Sequence, residues 1–287
     1  MAYHVELKIA SKTDTGLVRS HNEDAIAHNP ECGMAVLADG MGGYNAGEVA
    51  SAIATATLKD AIEKQLHDYV WGARANHSKF IQHLLVGSVE RANAAILDAA
   101  RKEPQFSGMG TTVVAAIFHQ DKLTIAHVGD SRVYRLRRGE LALITRDHSM
   151  LQEQIDAGLI DPEWARFSAN RNMITRAVGV DSSVQVEVHD HLTQAGDIYL
   201  LCSDGLSDML STQEIHDILN KTASDLELTC EALVARANKN GGRDNTSVIL
   251  IDVRANEAAQ NGLPGRALTW LADKTKSVGL RRNKLAK

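Results

Sequence analysis

The sequence predicts an α+β domain in which a β-sandwich lies between layers of helices, and three observations lead to that fold class. The chain reads in the order strands, two long helices, many short strands, helices and a closing strand. Neither half of this order forms a complete layered unit, so a single domain fits better than two. A hydrophobic content of 44% with only 4% aromatic residues predicts a core built from Ala, Val, Leu and Ile.

The first part of the chain predicts two strands and two long helices. Residues 5–10 are predicted to form a strand, and the apolar run 34–39 a second, buried strand. Apolar residues then recur at helical spacing over 46–65 and again over 77–101.

The middle of the chain changes to the period of strands. Four β-rich runs within residues 111–145 are separated by turns that include 119–122 and 137–140. This spacing predicts an antiparallel meander. A less regular stretch follows at 149–175, with a short helix near 149–157.

The last part of the domain returns to strands and helices and ends in a basic tail. Its predicted elements are strands at 184–190, 197–204 and 245–253 and helices near 212–220 and 225–239. We therefore predict a domain over residues 1–254 and an appended tail over 255–287. Residues 266–287 contain seven basic residues and a single acidic one, Asp273.

Composition and charge exclude several classes of protein. The net charge of -5 gives no reason to expect nucleic acid as the main partner. The three cysteines, Cys32, Cys202 and Cys230, lie far apart and form no CxxC pair, which argues against a disulfide framework and a zinc site. No signal peptide or membrane span is visible in the sequence. These features predict a cytoplasmic protein, and we expect a monomer.

The predicted buried strand at 34–39 ends in a carboxylate that precedes a run of glycines. Asp39 ends the apolar run, and the chain then turns through Gly40, Gly42 and Gly43. An Asp before a Gly is common in plain turns, where it caps backbone N–H groups. Glycines also let the backbone approach an ion closely, so the Gly40 carbonyl is a candidate metal ligand.

Further acids occur at the ends of other predicted strands or between them, namely Glu23, Asp24, Asp130, Asp204 and Asp244. Taken alone, Asp130 fits equally well as a turn cap or as the partner of Arg132. Converging carboxylates repel each other unless cations lie among them. Oxygen ligands without His or Cys select Mg²⁺ or Mn²⁺, and more than three carboxylates indicate two ions with Asp39 as the natural bridge.

Two further residues have open interpretations. Arg19, four residues before Glu23, would suit the oxygens of a phosphate, and it would equally well form a salt bridge to one of the acids. His148 is the histidine next to predicted active-site loop material, and an isolated histidine there is more often structural.

Eight segments together resemble the motifs of bacterial metal-dependent protein phosphatases of the protein phosphatase 2C type. They occur in the family's order between about residue 7 and residue 253: RSHNED, LADGMGGYNAGE, GMGTTVVAAIF, IAHVGDSRVYRL, TRDHS, NMITRAVG, GDIYLLCSDGL and GGRDNTSVILI. The resemblance implies a four-layer αββα sandwich with two antiparallel sheets. It also implies hydrolysis of phosphoserine and phosphothreonine in proteins by water activated between two Mn²⁺ or Mg²⁺ ions.

The resemblance further implies a role for each candidate. Asp39 resembles the bridging ligand and Gly40 the carbonyl ligand, while Asp204 and Asp244 resemble the remaining carboxylates of one ion. Glu23 resembles the acid that serves the other ion, largely through water. Three further positions have counterparts in the family: Asp24 resembles an active-site acid, Asp130 the ligand of a weaker third ion and Arg19 the phosphate-binding arginine.

The resemblance also implies partners and one departure. The expected partners are phosphorylated proteins and a cognate Ser/Thr kinase that the phosphatase opposes, and residues 150–175 match a variable flap beside the cleft. Many eukaryotic members have a His where this chain has Met41, which cannot donate a proton. Two other functions stay open, another metal-dependent phosphoesterase such as a nuclease and a phosphatase-fold binding module without activity. The tail 255–287 has no usable counterpart in the family.

Overall fold

The computed structural model describes residues 5–43, 45–69, 71, 76–161 and 173–255. These residues form four layers, in which two antiparallel sheets are stacked between helices, as predicted. The predicted tail lies outside the described residues from position 256 onward.

Each sheet is built from strands that are distant in sequence. The first sheet contains, in spatial order, β1 (Val5–Asp14), β11 (Thr246–Ala255), β10 (Ile198–Cys202), β7 (Arg132–Arg137) and β8 (Glu140–Leu143). The second contains β2 (Asp24–Asn29), β3 (Met34–Met41), β5 (Val113–His119), β6 (Lys122–Val128) and β9 (Glu187–Leu192), with β4 (Gly110–Thr111) beside the end of β3.

Helices cover the outer face of each sheet. The second sheet is covered by α1 (Ala46–Asp68) and α2 (His77–Lys102). The first is covered by α5 (Thr212–Thr222) and α6 (Leu226–Lys239). In the described part of the connections lie three short helices, a 3₁₀ helix at Pro104–Phe106, α3 at Met150–Asp156 and α4 at Asp204–Ser207.

Three hydrophobic clusters fill the three interfaces between the four layers. Strand β3 contributes to two of them, because Met34, Val36 and Ala38 face the helices while Ala35 and Leu37 face the other sheet. A strand that is buried on both faces has no polar alternation, which explains the continuous apolar run in the sequence. The same packing fixes the end of β3, and therefore Asp39, at the edge of the sandwich.

The sequence analysis missed strand β2. Its sequence DAIAHN has little apolar alternation, and five of its six residues are only half-buried. The strand forms because it pairs with β3, and this register sets Asp24 directly opposite Asp39. Asp24 therefore begins a strand, whereas the sequence placed it between two strands.

The prediction of one continuous meander over 111–145 was wrong. Strands β5 and β6 form a hairpin in the second sheet, whereas β7 and β8 form a hairpin in the first. The chain crosses between the sheets after β6, through Gly129 at φ 106°. Since this left-handed conformation favours glycine, the crossover is encoded locally, but its direction depends on the stacking of the sheets. Asp130 lies in this crossover.

The other elements are confirmed with shifted ends. Strand β9 begins at Glu187 rather than at residue 184, and β1 continues to Asp14. Helix α5 begins with a capping box in which Ser211 and Glu214 bond each other's backbone N–H groups, and this fixes its first turn.

Candidate metal centre

A polar pocket of about 280 Å³ opens at the edge where the two sheets meet. Its lining includes every sequence-predicted site residue except Asp24: Arg19, Glu23, Asp39, Gly40, Asp130, Asp204 and Asp244, together with Met41, Gly42, Thr112 and Ile174. The five acids of the lining are half-buried and come from five separate segments of the chain. The structure thus brings together residues that are up to 225 positions apart in the sequence.

Each acid lies at or next to the end of a strand. Asp39 lies on β3, Asp130 follows β6, Asp204 follows β10 at the first residue of α4, and Asp244 precedes β11. Because these strands are buried, their ends carry few degrees of freedom. The acids are therefore held at the pocket by the core of the protein.

Asp24 lies behind the pocket and is buried. Its Oδ2 accepts a hydrogen bond of 2.9 Å from the Ser203 hydroxyl, which comes from the other sheet. Its Oδ1 is buried without a hydrogen-bond partner. An unpartnered buried carboxylate oxygen costs folding free energy, so a nearby positive charge or a bound proton would stabilise Asp24.

The raised pKa values of the acids also indicate that a positive charge would stabilise the pocket. Burial, followed by the charge of Asp24, raises the pKa of Asp39 well above its usual range. Burial, followed by the charge of Asp130, does the same for the pKa of Asp204. Burial is also the main cause that raises the pKa of Asp24 and of Asp130 to about 6.

The residues present fit divalent cations. The pocket offers carboxylate oxygens and backbone carbonyls, and no histidine or cysteine is among the described residues that line it. Such a donor set suits Mg²⁺ or Mn²⁺ rather than zinc. A cation would also offset the repulsion that holds the carboxyl pKa values high.

The glycines of the pocket are required by close packing of the backbone. A Cβ at Gly40 would lie 2.1 Å from the carbonyl oxygen of Gly47 in α1 and 2.6 Å from that of Glu23. A Cβ at Gly205 would lie 2.0 Å from the carbonyl oxygen of Asn245. Helix α1 therefore packs directly against the backbone of Gly40, and the loop before β11 packs directly against that of Gly205. The Gly40 carbonyl stays a predicted ligand.

Arg19 pairs with one of the acids. Its Nη2 donates a hydrogen bond of 2.7 Å to Asp244 Oδ2, and half of the Arg19 side chain is exposed. Arg132, in contrast, pairs with Asp147 through three hydrogen bonds. The hypothesis that Arg132 is the partner of Asp130 was therefore wrong.

Several residues that support the site were not singled out from the sequence. Asn245 accepts a hydrogen bond of 2.8 Å from the backbone N–H of Glu23 and donates one of 2.8 Å to the carbonyl of His21. Thr112 accepts a hydrogen bond of 3.2 Å from the backbone N–H of Asp39. Asn245 lies in the motif GGRDNTS and Thr112 in the motif GMGTTVV. Their membership of these motifs could have identified them as supporting residues.

His148 has a structural position beside the crossover. Its Nδ1 accepts a hydrogen bond of 3.1 Å from the backbone N–H of Gly129, and its Nε2 bonds Glu187 at 3.1 Å. Its carbonyl accepts a bond of 2.8 Å from Thr175, next to Ile174 of the pocket. His148 thus joins the crossover of Asp130 to the far end of the predicted flap. Positions 162–172 of that flap lie outside the described residues.

The raised pKa of Asp24 gives an expectation for stability in the absence of metal. A carboxyl with a raised pKa contributes most stability below its unfolded value of 3.8 and loses it as the pH rises through about 6. Asn imitates the protonated acid, so Asp24→Asn is expected to become more stable relative to the wild type over this range. Urea denaturation in chelator, compared between the two proteins at each pH, cancels the contribution of the histidines. A difference that does not change with pH would contradict the expectation.

Three comparisons relate the chain to known proteins. The family model described as Protein phosphatase 2C matches residues 18–240. The serine/threonine phosphatase stp of Listeria welshimeri is 36% identical over 244 residues, which cover 84% of this chain and 94% of that protein.

Two solved structures give the same result. The catalytic domain of the serine/threonine protein phosphatase PstP in complex with two manganese ions has a TM-score of 0.75 and 37% identity, and the match covers 87% of this chain and 99% of that one. Serine/threonine phosphatase Stp1 from Staphylococcus aureus has a TM-score of 0.78 and 33% identity, and the match covers 88% of this chain and 97% of that one.

The fold and these matches define the class of protein as a protein phosphatase. The chain belongs to the protein phosphatase 2C family, and its relatives named here are bacterial enzymes. The resemblance inferred from the eight motifs is thereby confirmed. None of the helices in the described part of the chain is long and apolar enough to cross a membrane.

Proposed function

We propose that this protein hydrolyses phosphoserine and phosphothreonine in proteins at the acidic pocket, with Mn²⁺ or Mg²⁺ as cofactor. The observation that carries the proposal is the convergence of Asp39, Asp204, Asp244 and Glu23 in one half-buried pocket with Arg19 at its rim. The names of the relatives support the substrate class, since they are serine/threonine phosphatases.

The carboxylates would hold two ions, with Asp39 between them and Asp204, Asp244 and the Gly40 carbonyl completing one site. Glu23 would serve the second ion, largely through water. Two such ions lower the pKa of a water between them, so that hydroxide is available near neutral pH. The bound manganese of the PstP structure supports the number and type of ion.

Two other acids would act behind this centre. Asp130, half-buried in the crossover, would bind a third and weaker ion. Asp24 would act as a further active-site acid from the adjacent strand, since it lies opposite Asp39 in the register of β2 and β3. The unpartnered Oδ1 of Asp24 supports a position close to positive charge.

Arg19 would bind the phosphate of the substrate. Its guanidinium pairs with Asp244, and a cation bound at Asp244 would compete for that carboxylate and free the guanidinium. A planar, bidentate donor suits phosphate oxygens, and this supports the role.

Arg19→Ala is expected to raise the KM for a phosphopeptide by about tenfold, because a charge-assisted contact to the phosphate is lost. Manganese affinity, measured by calorimetry, is expected to stay within about twofold of wild type. Arg19→Lys is the matched control, because it keeps the positive charge and loses the planar, bidentate donor. An unchanged KM with altered manganese affinity would instead make Arg19 a structural partner of Asp244.

The cellular setting follows from the proposed reaction. The partners would be phosphorylated proteins and a Ser/Thr kinase that adds the phosphates, and we place the enzyme in the cytoplasm as a monomer. The alternative of a binding module without activity is disfavoured, because every predicted metal ligand lines the pocket. The proposed phosphatase domain spans residues 1–254.

Hydrolysis of a phosphoserine protein with and without Mn²⁺ tests the proposal. We expect activity with Mn²⁺ or Mg²⁺, complete loss in EDTA and recovery on adding Mn²⁺ back. Iodoacetamide is expected to leave the activity unchanged, because none of the three cysteines lines the pocket. Metal-independent activity, or strong inhibition by iodoacetamide with metals present, would overturn the proposal. Hydrolysis of nucleic acid instead of phosphoprotein would favour the other phosphoesterase.

A further inference from the structure

A second groove lies beside the acidic pocket, and the proposed function does not use it. It has a volume of about 600 Å³ and lies between the first turns of α1 and the 3₁₀ helix at Pro104–Phe106. Its lining consists of Asn45, Glu48, Val49, Ala52, Gln105 and Phe106.

Both walls of this groove continue the walls of the acidic pocket. On one side Gly42 lines the pocket and Asn45 lines the groove, and three steps of the chain span at most about 11 Å. On the other side Phe106 accepts a hydrogen bond of 3.1 Å from the N–H of Met109, and the next residue, Gly110, pairs with Met41 of the pocket. The two openings are therefore neighbours along both walls.

The distance suits an extended peptide. A strand advances about 3.3 Å per residue, so a peptide held at the pocket by its phosphorylated side chain would reach the groove with a residue two or three positions away. A small phosphate ester would not reach it.

The groove joins an apolar floor to an acidic rim. Val49 and Phe106 are half-buried and pack against the core between the helices and the second sheet, while Ala52 is exposed. Glu48 is exposed in the first turn of α1, and no basic residue is among the described residues that line the groove. This combination suits an apolar side chain with a positive charge beside it.

The charge of Glu48 also reaches the acidic pocket. The carboxyl group of Glu23 lies against α1 at Gly47, where a Cβ would be only 2.8 Å from it, and Glu48 is the next residue of the helix. The rim of the groove and the pocket therefore belong to one continuous negative surface. A basic residue of the substrate would be attracted to this surface.

We propose that the groove binds the segment of the phosphoprotein that flanks the phosphorylated residue. It selects an apolar side chain two or three positions away, with a Lys or Arg next to it, through Phe106 and Val49 at the floor and Glu48 at the rim. This inference rests on the proposed phosphatase function and names the class of sequence that the phosphatase prefers.

The first test compares phosphopeptides that differ only in the flanking residues. One peptide carries Leu-Lys two or three positions from the phosphoserine, on either side, and its partner carries Gly-Asp at the same positions. The wild type is expected to hydrolyse the Leu-Lys peptide of one side with a kcat/KM about tenfold higher, which is the usual discrimination from one apolar contact. The kcat/KM for p-nitrophenyl phosphate is the internal reference.

The second test fills the groove from its exposed wall. Ala52→Trp is expected to reduce the preference for the Leu-Lys peptide to less than about twofold while leaving p-nitrophenyl phosphate hydrolysis unchanged. Ala56→Trp is the matched control, because Ala56 is also exposed on α1, one turn further along, and does not line the groove. Glu48→Gln is expected to lower the preference for the Leu-Lys peptide about threefold, because the variant loses the attraction between Glu48 and the Lys.

The outcomes separate the two proposals. A wild type that hydrolyses all the peptides equally, or an Ala52→Trp variant with an unchanged preference, would overturn the groove and leave the phosphatase function standing. A wild type that hydrolyses neither the peptides nor the small ester with Mn²⁺ would overturn the phosphatase function and the groove with it. A preference that Ala56→Trp removes as strongly as Ala52→Trp would also overturn the assignment to this groove.

Discussion

Replacement of Asp39 by asparagine is expected to reduce metal-dependent hydrolysis of p-nitrophenyl phosphate by about a thousandfold or more. A neutral amide is a poor bridge between two cations, and Asp39 is the acid that lies on the buried strand β3. The measurements are steady-state kinetics with Mn²⁺ and calorimetric titration of the ion.

The fold is expected to survive this change. In the metal-free protein the pKa of Asp39 is held well above its usual range by burial and by the charges of Asp24 and Asp204. Removal of one carboxylate relieves this repulsion, so the metal-free variant is expected to be at least as stable as the wild type at pH 7.

An exposed acid provides the control for Asp39→Asn. Asp121 lies in the turn between β5 and β6, and Asp121→Asn is expected to keep full activity. The assignment of Asp39 would be refuted by a variant that still binds two Mn²⁺ ions and turns over the ester at the normal rate. Loss of activity together with a collapsed melting transition would point to a structural role instead.

The second large effect is expected from a single methyl group at Gly40. A Cβ there would lie 2.1 Å from the carbonyl oxygen of Gly47, a distance that real Cβ atoms do not show. Both partners are backbone, so α1 must move away from β3. We expect Gly40→Ala to destabilise the protein by about 3 kcal/mol or more, the upper range for overpacked sites, and to abolish hydrolysis.

Gly43→Ala is the matched control within the same turn. A Cβ at Gly43 meets no atom within 4 Å among the described residues beyond its chain neighbours, so this variant is expected to stay within about 1 kcal/mol of the wild type and to remain active. Urea denaturation and p-nitrophenyl phosphate kinetics measure both effects. Equal stability of the two variants would show that α1 is free to move and that the close approach at Gly40 is not required.

The strongly periodic elements could be predicted from the sequence. Strand β3 has apolar residues on both faces, and the long helices α1 and α2 repeat their apolar residues at helical spacing, so the pattern is set by local residues. The order of the eight motifs identified the family for the same reason, since each motif is a local stretch. The acids Asp39, Asp130, Asp204 and Asp244 were found because each lies next to an apolar strand.

Pairing between distant segments was not predicted. Strand β2 carries too few apolar residues to be recognised alone, and it forms against β3. The hairpins β5–β6 and β7–β8 look alike in sequence, but the crossover at Gly129 sends them to different sheets. Both features depend on which surfaces are buried together, and this information is spread over the whole chain.

The site shows the same division between local and distant information. The sequence by itself determined the family, the four layers and the chemical type of the acids, because these depend on residue types in short motifs. Only the tertiary structure decided that Asp24 lies behind Asp39 against Ser203, that Arg19 pairs with Asp244 and that Gly40 is required by contact with α1. The contacts of Asp24 with Ser203 and of Arg19 with Asp244 join segments that are distant in sequence, so they exist only once the two sheets are packed. The contact of Gly40 with Gly47 spans only seven residues, and it depends on how closely α1 packs against the end of β3.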